Sequence, residues 1–199
     1  KISAIAAVEL NISCPNIKSP VPQRPSLPVK NWGLGTGDWK PLISQDPRAT
    51  FDLVKAVRRA TSKTLITKLS PNVTDIVEIA LAAEKAGCDA LALINTVQGM
   101  SVDVRTRRPK IAMGVGGLSG PAIRPIAVRM VWELYQKVKI PIIGMGGIVD
   151  TESALEFFIA GATAISVGTA NFVNPGVSVE IVEGVKKYLK ENNIKNIEA

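Results

Sequence analysis

A parallel α/β fold of the (β/α)8-barrel family is predicted by three observations. Short β-branched runs alternate five times with longer amphipathic segments, the runs are apolar nearly throughout, and polar residues gather where the runs end. Near-continuous apolar runs belong to parallel strands covered on both faces, and strand–helix alternation builds the βαβ units that make such sheets.

The elements follow in order. Strands are expected at 6–11, 65–69, 90–94, 141–145 and 164–168. The first helix, 46–60, opens on Asp46-Pro47, a cap followed by proline in the first turn. The second, 74–86, has Thr74 as its expected cap, apolar positions at Ile76, Ile79, Ala80 and Ala83, and a stop at Gly87. Helices at 121–138 and 151–160 follow, the latter with Asp150 as cap and Gly161 as stop. The last, 179–191, carries Lys186, Lys187 and Lys190 near its negative dipole end.

Periodicity does not separate a closed barrel from an open doubly wound sheet, but the polar residues do. Asn11, Lys68, Asn95, Gly146 and Gly168 fall at or just past the ends of consecutive strands, which marks the active face of a barrel. Doubly wound sheets gather ligands at one switch point instead. A full barrel has eight units and usually ~250 residues. The 199 residues show five units, so one partial barrel domain over 1–199 is expected, without the opening three. An atypical insertion at about 18–45 interrupts it, rich in Pro and Trp (Pro20, Pro22, Pro25, Pro28, Trp32, Trp39, Pro41), a composition that suits an irregular excursion.

Composition narrows the chemistry. Aromatics at 5% argue against an aromatic-rich β-sandwich, while 46% hydrophobic content suits aliphatic strands under helices. The chain has no histidine and two unspaced cysteines, so zinc sites and Ser–His or Cys–His nucleophile pairs are excluded. Acid–base work then falls to Cys, Lys, Tyr or a carboxylate. The net charge of +7 is scattered over several helices, with no aromatic-interleaved groove or helix-turn-helix, so no nucleic-acid partner is expected. The most apolar stretch, 154–173, contains Glu156, two glycines and Asn171 and changes period midway, so no membrane span is expected either. With no signal peptide evident, a cytoplasmic location is expected.

Two segments suit a phosphate. Ile143-Gly-Met-Gly-Gly-Ile148 and Val167-Gly-Thr-Ala170 each lead from a strand into a helix, where glycines let backbone N–H groups approach an anion. In barrels this pair of positions is the recurrent phosphate site, shared by FMN and sugar-phosphate binders. At the other end of the chain Cys14 follows the first strand, flanked by Asn11 and Asn16. A loop thiol acts as a base near neutral pH if neighbours stabilise the thiolate, although most loop cysteines are inert. Cys88, between a helix and a strand, reads as packing. Lys68 ends an apolar strand, where it either snorkels or holds an anionic ligand edge. Asn95-Thr96 ends the next strand with amide and hydroxyl groups.

Taken together, the segments Glu-Leu-Asn-Ile-Ser-Cys-Pro-Asn (9–16), Lys-Leu-Ser-Pro-Asn-Val-Thr-Asp (68–75), Ile-Asn-Thr (94–96), Thr-Arg-Arg-Pro (106–109), Gly-Gly-Leu-Ser-Gly-Pro-Ala-Ile (116–123) and the two glycine turns resemble class 1 dihydroorotate dehydrogenases. The cysteine in place of serine separates class 1 from class 2, and the 94–100 and 106–109 segments look more like class 1B than 1A. The resemblance implies FMN-dependent oxidation of dihydroorotate to orotate in pyrimidine synthesis. Cys14 would take a proton from C5 while hydride leaves C6 for flavin N5, and Lys68 would stabilise the reduced flavin. Asn11, Asn16, Asn95 and Thr96 would hold the pyrimidine. Asn11, Lys68, Ile94, Gly120, Gly146, Gly147, Gly168 and Thr169 would line the FMN site.

The same resemblance implies a partner subunit carrying FAD and a 2Fe-2S iron–sulfur cluster, NAD as acceptor, and a homodimer or heterotetramer. It departs from the family at 18–45, where relatives have a short glycine-rich loop. Two other readings compete: a dihydropyrimidine dehydrogenase type of FMN barrel that reduces pyrimidines, and an inactive truncated barrel fragment.

Overall fold

A computed structural model of the chain describes residues 4–13 and 42–197. Strands β1 (Ala7–Asn11), β2 (Thr64–Lys68) and β3 (Ala90–Leu93) come first. Four short strands follow, β4 (Val97–Gly99), β5 (Val102–Asp103), β6 (Arg108–Pro109) and β7 (Gly116–Leu118), and then β8 (Ile142–Met145) and β9 (Ala164–Ser166). The helices are α1 (Pro47–Ala60), α2 (Ile76–Ala86), α3 (Arg124–Tyr135), α4 (Thr151–Ile159), α5 (Ala170–Val173) and α6 (Val177–Glu191).

The five expected strands form one parallel sheet in the order β1-β2-β3-β8-β9. Each joins beside its predecessor, so the order never reverses as it does in a doubly wound sheet. The helices pack in the same succession, α1 on α2, α2 on α3, α3 on α4 and α4 on α6. A sequential parallel sheet with its helices in one outer layer is an arc of a barrel.

Register divides the sheet into two faces, because paired residues on parallel strands point the same way. Leu65, Thr67, Leu91, Leu93, Ile142 and Gly144 face the helices and are buried. They meet Val54 of α1, Ile79 and Ala83 of α2, Val131 and Leu134 of α3, and Phe157 of α4. Close packing explains Gly144, since a Cβ there would lie 2.6 Å from the Phe157 ring. The other face carries Glu9, Asn11, Lys68, Met145 and Ser166, and helices leave it open.

Several boundaries differ from expectation for definite reasons. Asp75, not Thr74, caps α2, its carboxylate accepting from Val77 N and Glu78 N; an anion at that position also favours the positive helix end. The segment 121–138 splits into a 3-10 turn, Pro121–Ile123, and then α3, because Pro125 suits only a first turn. Helix α6 starts at Val177, directly after Pro175-Gly176. The antiparallel pairs β4–β7 and β5–β6 and the short α5 were not anticipated. Most of the 18–45 segment lies outside the described residues. Its end is a packed 3-10 turn, Ile43–Gln45, rather than an excursion, held by Thr50 Oγ1 donating to Ile43 O and Gln45 Nε2 donating to Asn72 O.

Two consequences are testable. The Ser153 hydroxyl and N–H hold the Asp150 carboxyl below the usual carboxylate range, as both donate to it at the start of α4. A depressed folded-state pKa gives stability that is present above the unfolded value and is lost as pH falls through the folded one. Asp150→Ala should therefore lower unfolding free energy by about 1 kcal/mol at pH 7 in a denaturant titration, with the deficit shrinking below about pH 4. Cys88 is buried, and that burial pushes its thiol up to about 11 despite the Thr67 hydroxyl beside it. In native protein at pH 8 the Cys88 peptide should resist iodoacetamide, and mass spectrometry should find it alkylated only after unfolding.

Candidate active site at the carboxyl edge of the sheet

One register row runs across the whole sheet through Asn11, Lys68, Ala92, Ile143 and Ala164. The residues after this row therefore emerge at a common edge. Backbone bonds past the strand ends hold that edge together: Leu69 N donates to Ala92 O (2.8 Å), Asn95 N to Leu69 O (3.0 Å) and Ile94 N to Met145 O (2.9 Å). Asn11, Lys68, Asn95, Gly146 and Gly168, expected at strand ends, all stand there.

Lys68 lies on the open face, clear of the apolar layer under the helices. Its Nζ sits 3.9 Å from Glu9 Oε1, which projects from the same face of β1. With its side chain 22% exposed and only a loose ion pair to Glu9 among the described residues, the ammonium is placed to meet a second anion. Glu9 was not singled out from sequence, although its position two residues before Asn11 on a strand puts both on one face.

Asn11 and Asn95, which come from different strands, are joined by Ser13. The Asn95 amide donates to Ser13 O and to Ser13 Oγ, both at 2.9 Å, and its Oδ1 accepts from Thr96 N at 2.8 Å. Ser13 N and Ser13 Oγ in turn donate to Asn11 Oδ1 at 3.2 and 2.9 Å. Ser13 is wholly buried. Sequence reasoning passed over it because serine is common in loops; its place between Asn11 and Cys14 was the available signal. Asn72 was missed in the same way. Its amide donates to Thr96 O and Ser70 Oγ, and its Oδ1 accepts from Gln98 N, which fixes the segment carrying Thr96.

The glycines make a cradle. Gly120, Gly146 and Gly147 all have positive φ, at 87°, 127° and 79°, which only glycine adopts freely. A Cβ on Gly147 would lie 2.7 Å from Gly120 O, so these two segments touch backbone to backbone. Around Gly120 and Gly168 a Cβ would meet nothing within 4 Å, leaving open space beside the chain. Ile94 is buried beneath, against Gly146. Thr169 precedes α5 without using its hydroxyl as a cap. A cradle of this form on the same sheet edge as a lysine suits an anionic, phosphate-bearing group such as FMN. Cys14 and Asn16 lie outside the described residues.

A family model described as dihydroorotate dehydrogenase matches residues 37–189. The chain is 50% identical over 195 residues to the dihydroorotate dehydrogenase B (NAD(+)) catalytic subunit of Caldicellulosiruptor bescii, covering 98% of this chain and 59% of the relative. It is 51% identical over 193 residues to the subunit of the same name from Desulforamulus reducens, covering 97% and 57% respectively. A crystal structure of DHODH in complex with ferulenol from Eimeria tenella superposes with a TM-score of 0.70 at 21% identity, covering 97% of this chain and 52% of that one. That likeness supports the barrel fold alone. The chain thus spans somewhat under three-fifths of the length of these relatives, and with the family model matched over 37–189 and identities near 50% it belongs to the dihydroorotate dehydrogenase family.

Proposed function

We propose that the carboxyl edge of this sheet carries the flavin and substrate sites of an FMN-dependent oxidation of dihydroorotate to orotate, the NAD-linked class 1B reaction of pyrimidine synthesis. The observation that carries the reading is the convergence of Lys68, two carboxamides and a positive-φ glycine cradle on one edge. Names of relatives about 50% identical support it. On this reading residues 1–199 act as one partial barrel domain.

The reaction removes a proton from C5 and a hydride from C6, leaving a C5–C6 double bond. FMN, when bound, supplies the acceptor for the hydride and its two electrons. The chain's own residues do the rest. The Cys14 thiolate takes the C5 proton and becomes a thiol. The Lys68 ammonium would help hold the flavin and would favour negative charge on its ring. Asn11, Asn16, Asn95 and Thr96 would hold the edges of the pyrimidine, and Gly120, Gly146, Gly147, Gly168 and Thr169, with Ile94, would hold FMN and let its phosphate approach the backbone.

Relatives named as catalytic subunits support a separate electron-transfer partner. We assign it FAD and a 2Fe-2S cluster, with NAD as the final acceptor, in a cytoplasmic homodimer or heterotetramer. Among the described residues no helix is long and apolar enough to cross a membrane.

Stopped-flow reduction of the FMN-loaded chain by dihydroorotate tests these roles. Cys14→Ser should slow flavin reduction by at least about 100-fold while leaving FMN bound. Unchanged kinetics would remove Cys14 from the chemistry. Lys68→Ala should weaken FMN binding about ten-fold, read by flavin fluorescence. Equal affinity and equal reduction rate would return Lys68 to a structural role.

A further inference from the structure

We propose that Ser13 is a positioning residue that sorts two identical carboxamides into opposite roles, Asn11 as hydrogen-bond donor and Asn95 as acceptor toward the ligand. The inference rests on the reading of this edge as a pyrimidine site and goes beyond it by naming what sets its polarity.

The backbone sets the direction of both carboxamides, and the Ser13 hydroxyl, bonded to both, locks them in it. Ser13 N–H can only donate, so the atom of Asn11 facing it at 3.2 Å is the oxygen. Ser13 C=O can only accept, so the atom of Asn95 facing it at 2.9 Å is the nitrogen. Thr96 N–H, also an obligate donor, independently requires the Asn95 oxygen on its side, at 2.8 Å. The Ser13 hydroxyl links the two halves, donating its single proton to Asn11 Oδ1 and accepting from Asn95 Nδ2.

What is left over differs for the two asparagines. Both N–H bonds of Asn95 are directed to Ser13, so its remaining capacity is a lone pair on Oδ1. Asn11 has its oxygen occupied twice, and among the described residues no acceptor takes its amide hydrogens. Asn11 is exposed on the open face of the sheet, in register with Lys68. A donor from one strand and an acceptor from another fit a ring edge on which a carbonyl stands beside an N–H, as in a cyclic imide. Ser13 is wholly buried, so water does not substitute for its hydroxyl. Flipping either carboxamide would set an oxygen against an oxygen or an N–H against an N–H.

The test uses the FMN-loaded 199-residue chain with orotate as probe, read from the shift of the flavin visible spectrum. Ser13→Ala should weaken orotate about ten-fold with FMN affinity changed less than about two-fold, and Ser13→Thr, which keeps the hydroxyl, should remain within about three-fold of the parent. In an Asn11→Ala/Asn95→Ala background, Ser13→Ala should cost less than about two-fold, because both of its routes to the ligand are already cut. Equal losses in both backgrounds, or none in either, would overturn the proposal and leave Ser13 as packing.

Two further measurements cover failure of the primary ones. If the parent chain binds neither FMN nor orotate, the flavin reading fails by itself, and the Asn95 side-chain amide resonances decide the role of Ser13. Slow hydrogen exchange there that is lost in Ser13→Ala supports the sorting, whereas fast exchange in the parent overturns it. If Ser13→Ala does not fold, Asn11→Asp takes its place, since it keeps the oxygen toward Ser13 but turns the ligand-facing donor into an acceptor. Orotate should then bind more weakly than to Asn11→Ala, and the reverse order would overturn the assignment.

Discussion

The unbroken register of the parallel sheet is the constraint from which the rest of the molecule follows. Asn11, Lys68, Ala92, Ile143 and Ala164 share one row, and every strand leaves that row in the same direction. A slip of one residue in β2 would turn Lys68 into the apolar layer and bring Thr67 onto the open face, because strand side chains alternate. The slip is opposed by Leu65 and Leu69, both fully buried under the helices. Hydrophobic burial on one face thus sets the polar geometry of the other.

The chain spends its polar chemistry unevenly across the two ends of the strands. At the amino end, Asp89 accepts from Leu65 N and from Arg58, tying β2 and α1 to the start of β3, and these bonds lower its pKa below the usual carboxylate range. Those contacts are local and satisfied, as expected of a stabilising face. At the carboxyl end the groups are satisfied on one side only. Lys68 has a loose partner in Glu9, and Asn11 has its oxygen engaged while no acceptor among the described residues takes its amide hydrogens. Capacity left over on otherwise ordered groups distinguishes a ligand site from a structural network.

Much of this was legible in the sequence, and the limits have physical causes. Five strands and their helices could be read because each strand belongs to an apolar run that alternates with an amphipathic helix, and Asp46, Asp150 and Gly87 punctuate them as capping chemistry predicts. The pairs β4–β7 and β5–β6 escaped notice because their two or three residues, mixed with Gly, Gln, Asp and Arg, form no apolar run between helices. Lys68, Asn11, Asn95 and the paired glycines stood out as polar or flexible residues ending apolar runs. Ser13, Asn72 and Glu9 did not, because their importance lies in partners distant in sequence, such as Asn95 for Ser13. The polarity that Ser13 imposes on its neighbours depends on which backbone atom each carboxamide meets, which no residue pattern encodes.

The central claim is that this edge binds flavin and passes substrate electrons to it, and one anaerobic titration addresses it directly. FMN is added to the 199-residue chain, bound flavin is measured by fluorescence, and dihydroorotate is then added without oxygen. The account predicts saturable FMN binding followed by loss of the flavin's visible absorbance. Absence of FMN binding at any concentration would contradict it.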